Sequence, residues 1–354
     1  MSDKKLSVAF IGTGIMGAPI AGHILDAGYP VTVYNRTKAK TDDLVSRGAV
    51  WADSPAVAAK DADVVFTMVG YPADVEEIYL SGDGLLAAAK PGAYLIDLTT
   101  SAPELARDIA EAAETYGKHA FDCPVTGGDT GAIAGTLTLI VGATDEGIEP
   151  VRDILETFSS KIYCFGGPGK GQAAKLANQV ALSSCMVGMA DALSFAQQMG
   201  LDLAETREMI LGGTGRSGAM EQLAPKSLDG DWKPGFMVTH FLKDLRLALA
   251  AAEEKELALP GADTAFTLYD MLDAIGGSKL GTQAITLLYQ EEADAVAAGL
   301  DWSLYNPPVH DEGEHECGCG HHHEDGHECC GGHGDHHGHH EGGCCCGGHG
   351  HDAE

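Results

Sequence analysis

The sequence predicts the α/β fold class, with a doubly wound parallel sheet followed by an all-α domain that is joined to it through a long helix. Strands and helices alternate over residues 1–165, whereas the apolar pattern over residues 166–305 is entirely helical. Over residues 306–354 the composition changes abruptly to histidine, cysteine and glycine. Because 354 residues exceed one compact domain, these ranges predict two domains and a disordered C-terminal tail.

The first element is a buried strand at residues 6–11, which runs into the sequence GTGIMG and then into a helix. A second strand at residues 31–34 completes strand, G-x-G-x-x-G, helix and strand, the context of a dinucleotide-binding loop. The three glycines make a tight turn, let a pyrophosphate approach the helix N-terminus and let helix pack on strand. The pattern predicts a Rossmann-type domain with cofactor contacts at Gly12, Gly14, Ile15, Met16 and Gly17.

The end of the second strand predicts which nicotinamide cofactor is preferred. NAD-binding chains usually carry Asp or Glu there, whereas this chain has Asn35, Arg36 and Thr37. A carboxylate would repel a ribose 2′-phosphate, and Arg36 would pair with one. We therefore expect NADP to be preferred, with NAD as the alternative; a solvated loop arginine is the other interpretation of Arg36.

Alternation of strand and helix continues along the first domain. Strands are predicted at residues 62–69, 93–98, 120–123, 137–141 and 162–165, and helices at residues 75–79, 104–116 and 146–158. Thr99, Thr100 and Ser101 place hydroxyls at the carboxyl edge of the sheet, where open α/β sheets bind ligands. Ser101 is also expected to cap the helix that begins at residue 104.

The segment DCPVTGGDTGAIAGTL, residues 122–137, lies between two predicted strands. Thr126 followed by Gly127 and Gly128 offers a hydroxyl and exposed backbone N–H groups, which suit a substrate carboxylate. A plain glycine turn between strands is the alternative.

A glycine-rich loop, GGPGKGQAAKLAN, runs into a long helix predicted over residues 171–199. Lys175 and Asn178 lie three residues apart, hence on one helix face. The helix dipole is expected to lower the pKa of Lys175, which suits a proton donor. A solvated surface lysine is the alternative.

Further helices are predicted at residues 203–211, 219–223, 237–255, 262–274 and 283–296. Lys243 and Asp244 are costly on a mostly apolar helix unless they face a cleft, although a surface ion pair satisfies the pattern equally.

Four segments stand in one order: GTGIMGAPIA, DCPVTGGDTGAIAGTL, GPGKGQAAKLAN and KDLRLAL. Over residues 5 to 302 the chain resembles the β-hydroxyacid dehydrogenase family, whose members include 3-hydroxyisobutyrate dehydrogenase, tartronate semialdehyde reductase, and glyoxylate and succinic semialdehyde reductases. The resemblance implies an NAD(P)-dependent oxidoreductase that interconverts a small 3-hydroxy acid and its semialdehyde. It also implies a homo-oligomer with an active site between its two domains.

The resemblance also assigns roles to residues, which are as follows: Lys175 as the catalytic lysine, Asn178 as its partner, Thr126, Gly127 and Gly128 as the substrate-carboxylate loop, Thr100 and Phe236 beside the substrate, and Lys243 and Asp244 closing over the cofactor. Thr100 would also lie near the nicotinamide. Asn35 and Arg36 resemble the NADP-using branch of the family. Members commonly have Ser where this chain has Thr126, so the added methyl group changes the width of the pocket.

The tail holds 13 of the 16 histidines and seven of the ten cysteines. Thiolates and imidazoles bind Zn, Ni, Co or Cu, so candidate ligands are His321, His322, His323, Cys317, Cys319, Cys329 and Cys330. One hypothesis is metal buffering or storage by a tail attached to an enzyme. Another is that the whole chain is primarily a metal-binding protein whose dehydrogenase body is retained but idle. The alternative is a low-complexity tail without that function.

The formal net charge of −30 argues against nucleic acid and anionic membrane surfaces as partners. We also expect no stretch that is long and apolar enough to span a bilayer, and the glycines at residues 12–17 argue against a signal peptide. Cys123, Cys164 and Cys185 are expected to be reduced and buried, as in a cytoplasmic protein.

Overall fold

A computed structural model describes residues 5–305, which lie in one compact unit. The metal ligands predicted in the tail lie outside the described residues, so the metal-binding hypothesis stays a prediction. Within the described range, no group of three or more His, Cys, Asp or Glu side chains could hold a metal ion.

The main sheet has six parallel strands in the order β3-β2-β1-β4-β5-β6. These strands are β1 (Val8–Ile11), β2 (Val31–Tyr34), β3 (Val50–Trp51), β4 (Val64–Thr67), β5 (Tyr94–Asp97) and β6 (His119–Asp122). The chain leaves β1 in one direction towards β3 and returns to β4 on its other side, which opens a crevice at the carboxyl ends of β1 and β4. The predicted doubly wound sheet is therefore confirmed.

Helices cover both faces of this sheet, and their bounds are α1 (Gly17–Asp26), α2 (Asp42–Ser46), α3 (Pro55–Ala59), α4 (Pro72–Leu80), α5 (Leu85–Ala88) and α6 (Pro103–Thr115), with a 3₁₀ turn at Lys38–Thr41. Buried apolar clusters lie on the two sheet faces. In one of them Phe10 and Phe66 stack at 5.9 Å between ring centroids. Hydrophobic burial on both faces explains why the strands read as continuous apolar runs.

A second sheet of three strands follows, with β7 (Val125–Thr126), β8 (Leu137–Val141) and β9 (Ser159–Cys164) in that order. β7 pairs with β8 antiparallel, and β8 pairs with β9 parallel. Three short helices join these strands: α7 (Gly128–Ala134), α8 (Asp145–Ile148) and α9 (Arg152–Leu155), with a 3₁₀ turn at Glu149–Val151. The single helix expected over residues 146–158 is therefore wrong. Pro150 removes a backbone N–H and breaks it.

The rest of the described chain is helical, as predicted. Its helices are α10 (Lys170–Gln198), α11 (Leu203–Leu211), α12 (Gly218–Gln222), α13 (Ala224–Leu228), α14 (Val238–Glu253), α15 (Pro260–Ala274) and α16 (Glu292–Ala297), with 3₁₀ segments at Gly277–Lys279, Thr282–Tyr289 and Trp302–Leu304. Helix α10 packs against α14, α15 and Thr282–Tyr289 around a third buried cluster.

Two further expectations about the helices are wrong. Residues 283–296 do not form one helix: the 3₁₀ segment Thr282–Tyr289 ends in extended backbone at Gln290 before α16 begins. Ser101 does not cap α6, since Ala102 occupies the cap position without a side-chain hydrogen bond. The Ser101 N–H instead donates to the Gln172 side chain, 2.9 Å away.

Helix α10 also corrects the expectation that no stretch is long and apolar enough to span a bilayer. It passes that test by length and composition, with a mean hydropathy of 1.2 in its most apolar window, of which 39% is buried within the structure. Core helices pass the same test, and the packing of α10 against α14 and α15 is that of a core helix.

Candidate active site

The loop between β1 and α1 forms an open cradle at the helix N-terminus. Gly12 has a φ of +99°, which favours glycine, and a Cβ on it would lie 2.1 Å from the carbonyl oxygen of Met68. A Cβ on Gly14 would meet nothing within 4 Å, so the space above this residue is open. Met16 supplies no side-chain cap, and Ile15 is half exposed beside it. These features fit a dinucleotide pyrophosphate.

The glycines of this loop make separable predictions. A Cβ on Gly17 would lie 1.9 Å from the carbonyl oxygen of Gly12, so we expect Gly17→Ala to destabilise the fold by about 2 kcal/mol or more. Gly14→Ala, which meets no atom, should keep the wild-type melting temperature but weaken cofactor binding. Thermal melts with and without cofactor check both results. Equal melting temperatures for the two variants without cofactor would contradict the packing argument.

The predicted 2′-phosphate site lies at the end of β2. Asn35 accepts a hydrogen bond from the Thr13 N–H at 3.1 Å and donates to the Thr37 carbonyl at 2.9 Å. Asn35 therefore joins the glycine loop to β2, a positioning contact that the sequence did not predict. The Arg36 side chain is 88% exposed and lies 3.6 Å from the Asp74 carboxylate, so it is accessible to a ligand.

The loop over residues 99–101 follows β5 at the carboxyl edge of the sheet and is held from several directions. The Thr99 hydroxyl accepts a hydrogen bond from the Val69 N–H at 3.0 Å, and the Thr100 carbonyl accepts one from the Lys243 ammonium. Helix α14 of the helical region thus contacts the loop at Thr100.

Lys175 lies in the second turn of α10, with only 8% of its surface exposed. Its pKa is lowered to about 8, chiefly by burial; Asp244 opposes this shift and Lys243 adds to it. The principal cause is therefore burial, which the sequence analysis did not name. Within residues 5–305 its ammonium makes no hydrogen bond, which leaves it available to a ligand.

A buried polar chain connects α10 with α14. Asn178 donates to the Gln179 side chain at 2.8 Å, and Gln179 donates to Asp244 at 2.6 Å. Asp244 in turn lies 3.0 Å from the Lys243 ammonium. Lys243 and Asp244 are a buried ion pair rather than a surface one, with side-chain exposures of 11% and 2%.

The predicted contact of Asp244 with the cofactor stays a prediction. Its side chain points into this buried chain and supports its neighbours. Gln179 was missed, although a polar residue four positions after Lys175 on an apolar helix is a detectable signal.

The predicted carboxylate loop begins at the end of β7. Thr126 is half-buried and pairs with Thr138 on β8, and Gly127 and Gly128 are exposed with φ values of +127° and +67°. Gly171, at the start of α10, packs against β8: a Cβ on it would lie 2.5 Å from the Ile140 carbonyl oxygen. The carboxylate loop and the helix that carries Lys175 are therefore supported by the same strand.

Phe236 precedes α14 and packs against Phe241, with 5.6 Å between ring centroids. The adjacent Gly235 lies against Asp129, since a Cβ on Gly235 would be 2.6 Å from Oδ1 of Asp129. The segment before α14 thus meets the carboxylate loop, which brings Phe236 close to that loop.

Two family models match the chain. The NAD-binding domain of 6-phosphogluconate dehydrogenase matches residues 7–166, and the NAD-binding model of NADP-dependent 3-hydroxyisobutyrate dehydrogenase matches residues 169–289. The 3-hydroxyisobutyrate dehydrogenase of Pseudomonas aeruginosa is 36% identical over 303 residues, which cover 84% of this chain and 96% of that protein. The chain belongs to the β-hydroxyacid dehydrogenase family.

Other family members show similar agreement. The uncharacterized oxidoreductase YkwC of Bacillus subtilis is 45% identical over 285 residues, 80% of this chain and 99% of that protein. The structure of Mycobacterium tuberculosis 3-hydroxyisobutyrate dehydrogenase with L-serine matches with a TM-score of 0.75 and 30% identity, covering 81% of this chain and all of that chain. Membership makes the chain an NAD(P)-dependent oxidoreductase of the 3-hydroxyisobutyrate dehydrogenase type.

Proposed function

We propose that this chain interconverts a small 3-hydroxy acid and its semialdehyde, prefers NADP, and uses Lys175 as the proton donor and acceptor. The observation that carries the proposal is the buried Lys175 ammonium, which has no hydrogen-bond partner within residues 5–305 and a pKa of about 8. Such a group can both give and take a proton near neutral pH.

The proposed roles of the residues follow from their positions. When bound, the nicotinamide supplies or accepts the hydride. Lys175 protonates the oxygen of the reduced carbonyl, and the neutral amine takes this proton back in the oxidative direction. Thr126, Gly127 and Gly128 hold the substrate carboxylate through a hydroxyl and backbone N–H groups. Asn178 supports the site through the buried chain that ends at Asp244.

The substrate class follows from the same groups. A single carboxylate held by the loop over residues 126–128 suits a small acid, and the named relatives are a 3-hydroxyisobutyrate dehydrogenase and a 3-hydroxyisobutyrate dehydrogenase whose structure is described with L-serine. We therefore propose acids with a β-hydroxyl group or the corresponding semialdehydes.

This proposal is tested by initial rates of the full-length chain with NADPH and with NADH. The substrate panel contains glyoxylate and the succinic, methylmalonic and tartronic semialdehydes, with 3-hydroxyisobutyrate and L-serine assayed in the oxidative direction. We expect turnover of at least one substrate whose reacting carbon is β to the carboxylate, namely methylmalonic or tartronic semialdehyde, 3-hydroxyisobutyrate or L-serine, and a higher kcat/KM with NADPH than with NADH. Absence of turnover with every member of the panel would contradict the proposed substrate class.

The rate should depend on pH through Lys175. Reduction needs the ammonium form, so kcat for reduction should fall as pH rises through about 8. Oxidation needs the neutral amine, so kcat for oxidation should rise over the same interval. Steady-state rates in both directions between pH 6 and about 10 check this prediction. Two profiles that move in the same direction would argue against Lys175.

We also propose a cytoplasmic homo-oligomer. The oligomer is supported by exposed apolar side chains around the C-terminal end of α10 and in α11. These are Phe195, Met199, Leu201 and Met209, each more than half exposed. Sedimentation equilibrium of the wild-type chain and of Phe195→Glu tests the oligomer. A monomeric wild-type chain would contradict it.

A further inference from the structure

Gln172 holds the loop over residues 99–101 with both ends of its side-chain amide. The side chain is fully buried, and its Nε2 donates to the Thr99 carbonyl at 2.7 Å. Its Oε1 accepts from the Ser101 N–H at 2.9 Å. A single amide thus satisfies two buried backbone groups on either side of Thr100.

The backbone at Gln172 is fixed as firmly as the side chain. Its N–H donates to Oδ2 of Asp122 at 2.6 Å, and Oδ1 of the same carboxylate accepts from the Gly169 N–H at 2.8 Å. A Cβ on Gly171 would lie 2.7 Å from Oδ2 of Asp122, so only glycine allows this approach. The first turn of α10 is therefore held against β6.

Lys175 follows Gln172 by three residues and lies on the same side of α10. The loop that Gln172 holds also contains Thr100, whose carbonyl accepts a hydrogen bond from Lys243. The Gln172 side chain thus links the helix that carries Lys175 to a loop that contacts α14.

We propose that Gln172 is a positioning residue that sets the placement of Lys175 relative to the loop over residues 99–101. The inference rests on the proposed role of Lys175. Without the Gln172 amide, the Thr99 carbonyl and the Ser101 N–H lose their partners in a buried environment, and each must recruit water or move. A displacement of about 1 Å in reacting groups lowers rates by as much as about 10²-fold.

Gln172→Met tests the proposal because methionine fills a similar volume without either hydrogen bond. We expect kcat to fall by about 10–100-fold, with a smaller change in KM for the cofactor. Water admitted to the site should also hydrate the ammonium, so the pH at which Lys175 deprotonates should rise. Acylation of Lys175 by an amine-reactive reagent, followed by peptide mapping across a pH series, reports that pH independently of turnover.

Lys118→Met is the matched control. Lys118 precedes the amino end of β6, away from the loop over residues 99–101, and is 5% exposed. Its ammonium donates to the carbonyl of Leu86 in α5. Its replacement also leaves a buried carbonyl without its side-chain donor. We expect lower thermal stability but an unchanged kcat and an unchanged pH profile of Lys175 acylation. Equal losses of kcat in the two variants would overturn the positioning role.

The failure of this inference can be distinguished from failure of the proposed function. If Lys175→Ala abolishes turnover while Gln172→Met retains wild-type kcat and the wild-type acylation profile, only the positioning role is wrong. If Lys175→Ala retains turnover, the proposed function itself fails. Should Gln172→Met not fold, Gln172→Glu, which keeps the acceptor for Ser101 and loses the donor to Thr99, is expected to lower kcat; a wild-type kcat would overturn the proposal.

Discussion

Replacing Lys175 with alanine is expected to lower kcat by about 10²–10⁴-fold, the range that a positioned general acid contributes. The side chain is buried on α10. The buried network of Asn178, Gln179 and Asp244 includes one other ammonium, that of Lys243, and Asp244 and the Thr100 carbonyl already engage it. Cofactor binding should persist, because the glycine loop lies on a different element.

Two controls accompany Lys175→Ala. Lys170→Ala removes an exposed lysine from the first turn of the same helix and should keep the wild-type rate. Lys175→Met keeps most of the side-chain volume, so its loss of rate should match that of alanine if the ammonium is responsible. A near-normal rate in either Lys175 variant would exclude Lys175 as the proton donor.

Replacing Arg36 with alanine is expected to lower kcat/KM for NADPH by about 10–100-fold, the range of a lost charged hydrogen bond. The same variant should leave kcat/KM for NADH nearly unchanged, because NADH has no 2′-phosphate. Asp74→Asn should act in the opposite direction, since it removes a carboxylate 3.6 Å from the guanidinium that competes with the phosphate.

The control for this prediction is Arg216→Ala, which removes an exposed arginine paired with Glu221 in the helical region. This variant should leave kcat/KM unchanged with NADPH and with NADH. Steady-state kinetics with both cofactors check all three variants. An equal loss with NADPH and NADH in Arg36→Ala would show that Arg36 does not read the phosphate.

The features that the sequence predicted well are local ones. The glycine loop before α1 is written in six consecutive residues, and the bounds of β8 and α11 follow directly from apolar periodicity. Lys175 was selected as a candidate from the segment that contains it, and the structure shows it buried on α10. Where a local signal was overlooked, the prediction failed: Pro150 interrupts the helix expected over residues 146–158.

The features that the sequence could not predict depend on distant contacts. Gln172 bonds to the Thr99 carbonyl 73 positions away, and Gln179 bonds to Asp244 65 positions away. Periodicity shows that such residues lie on a helix, but it does not show what they face. The same limit applies to Asp244, whose contacts with Gln179 and Lys243 are not visible in the segment KDLRLAL.

The most direct test of the account is the initial rate of NADPH oxidation with a small acid semialdehyde, measured for wild type and Lys175→Ala at equal bound NADPH. Normalising to bound cofactor separates chemistry from folding and cofactor affinity. The account predicts turnover by the wild type and a loss of at least about 10²-fold in the variant. Equal rates for the two proteins, with equal NADPH bound, would contradict it.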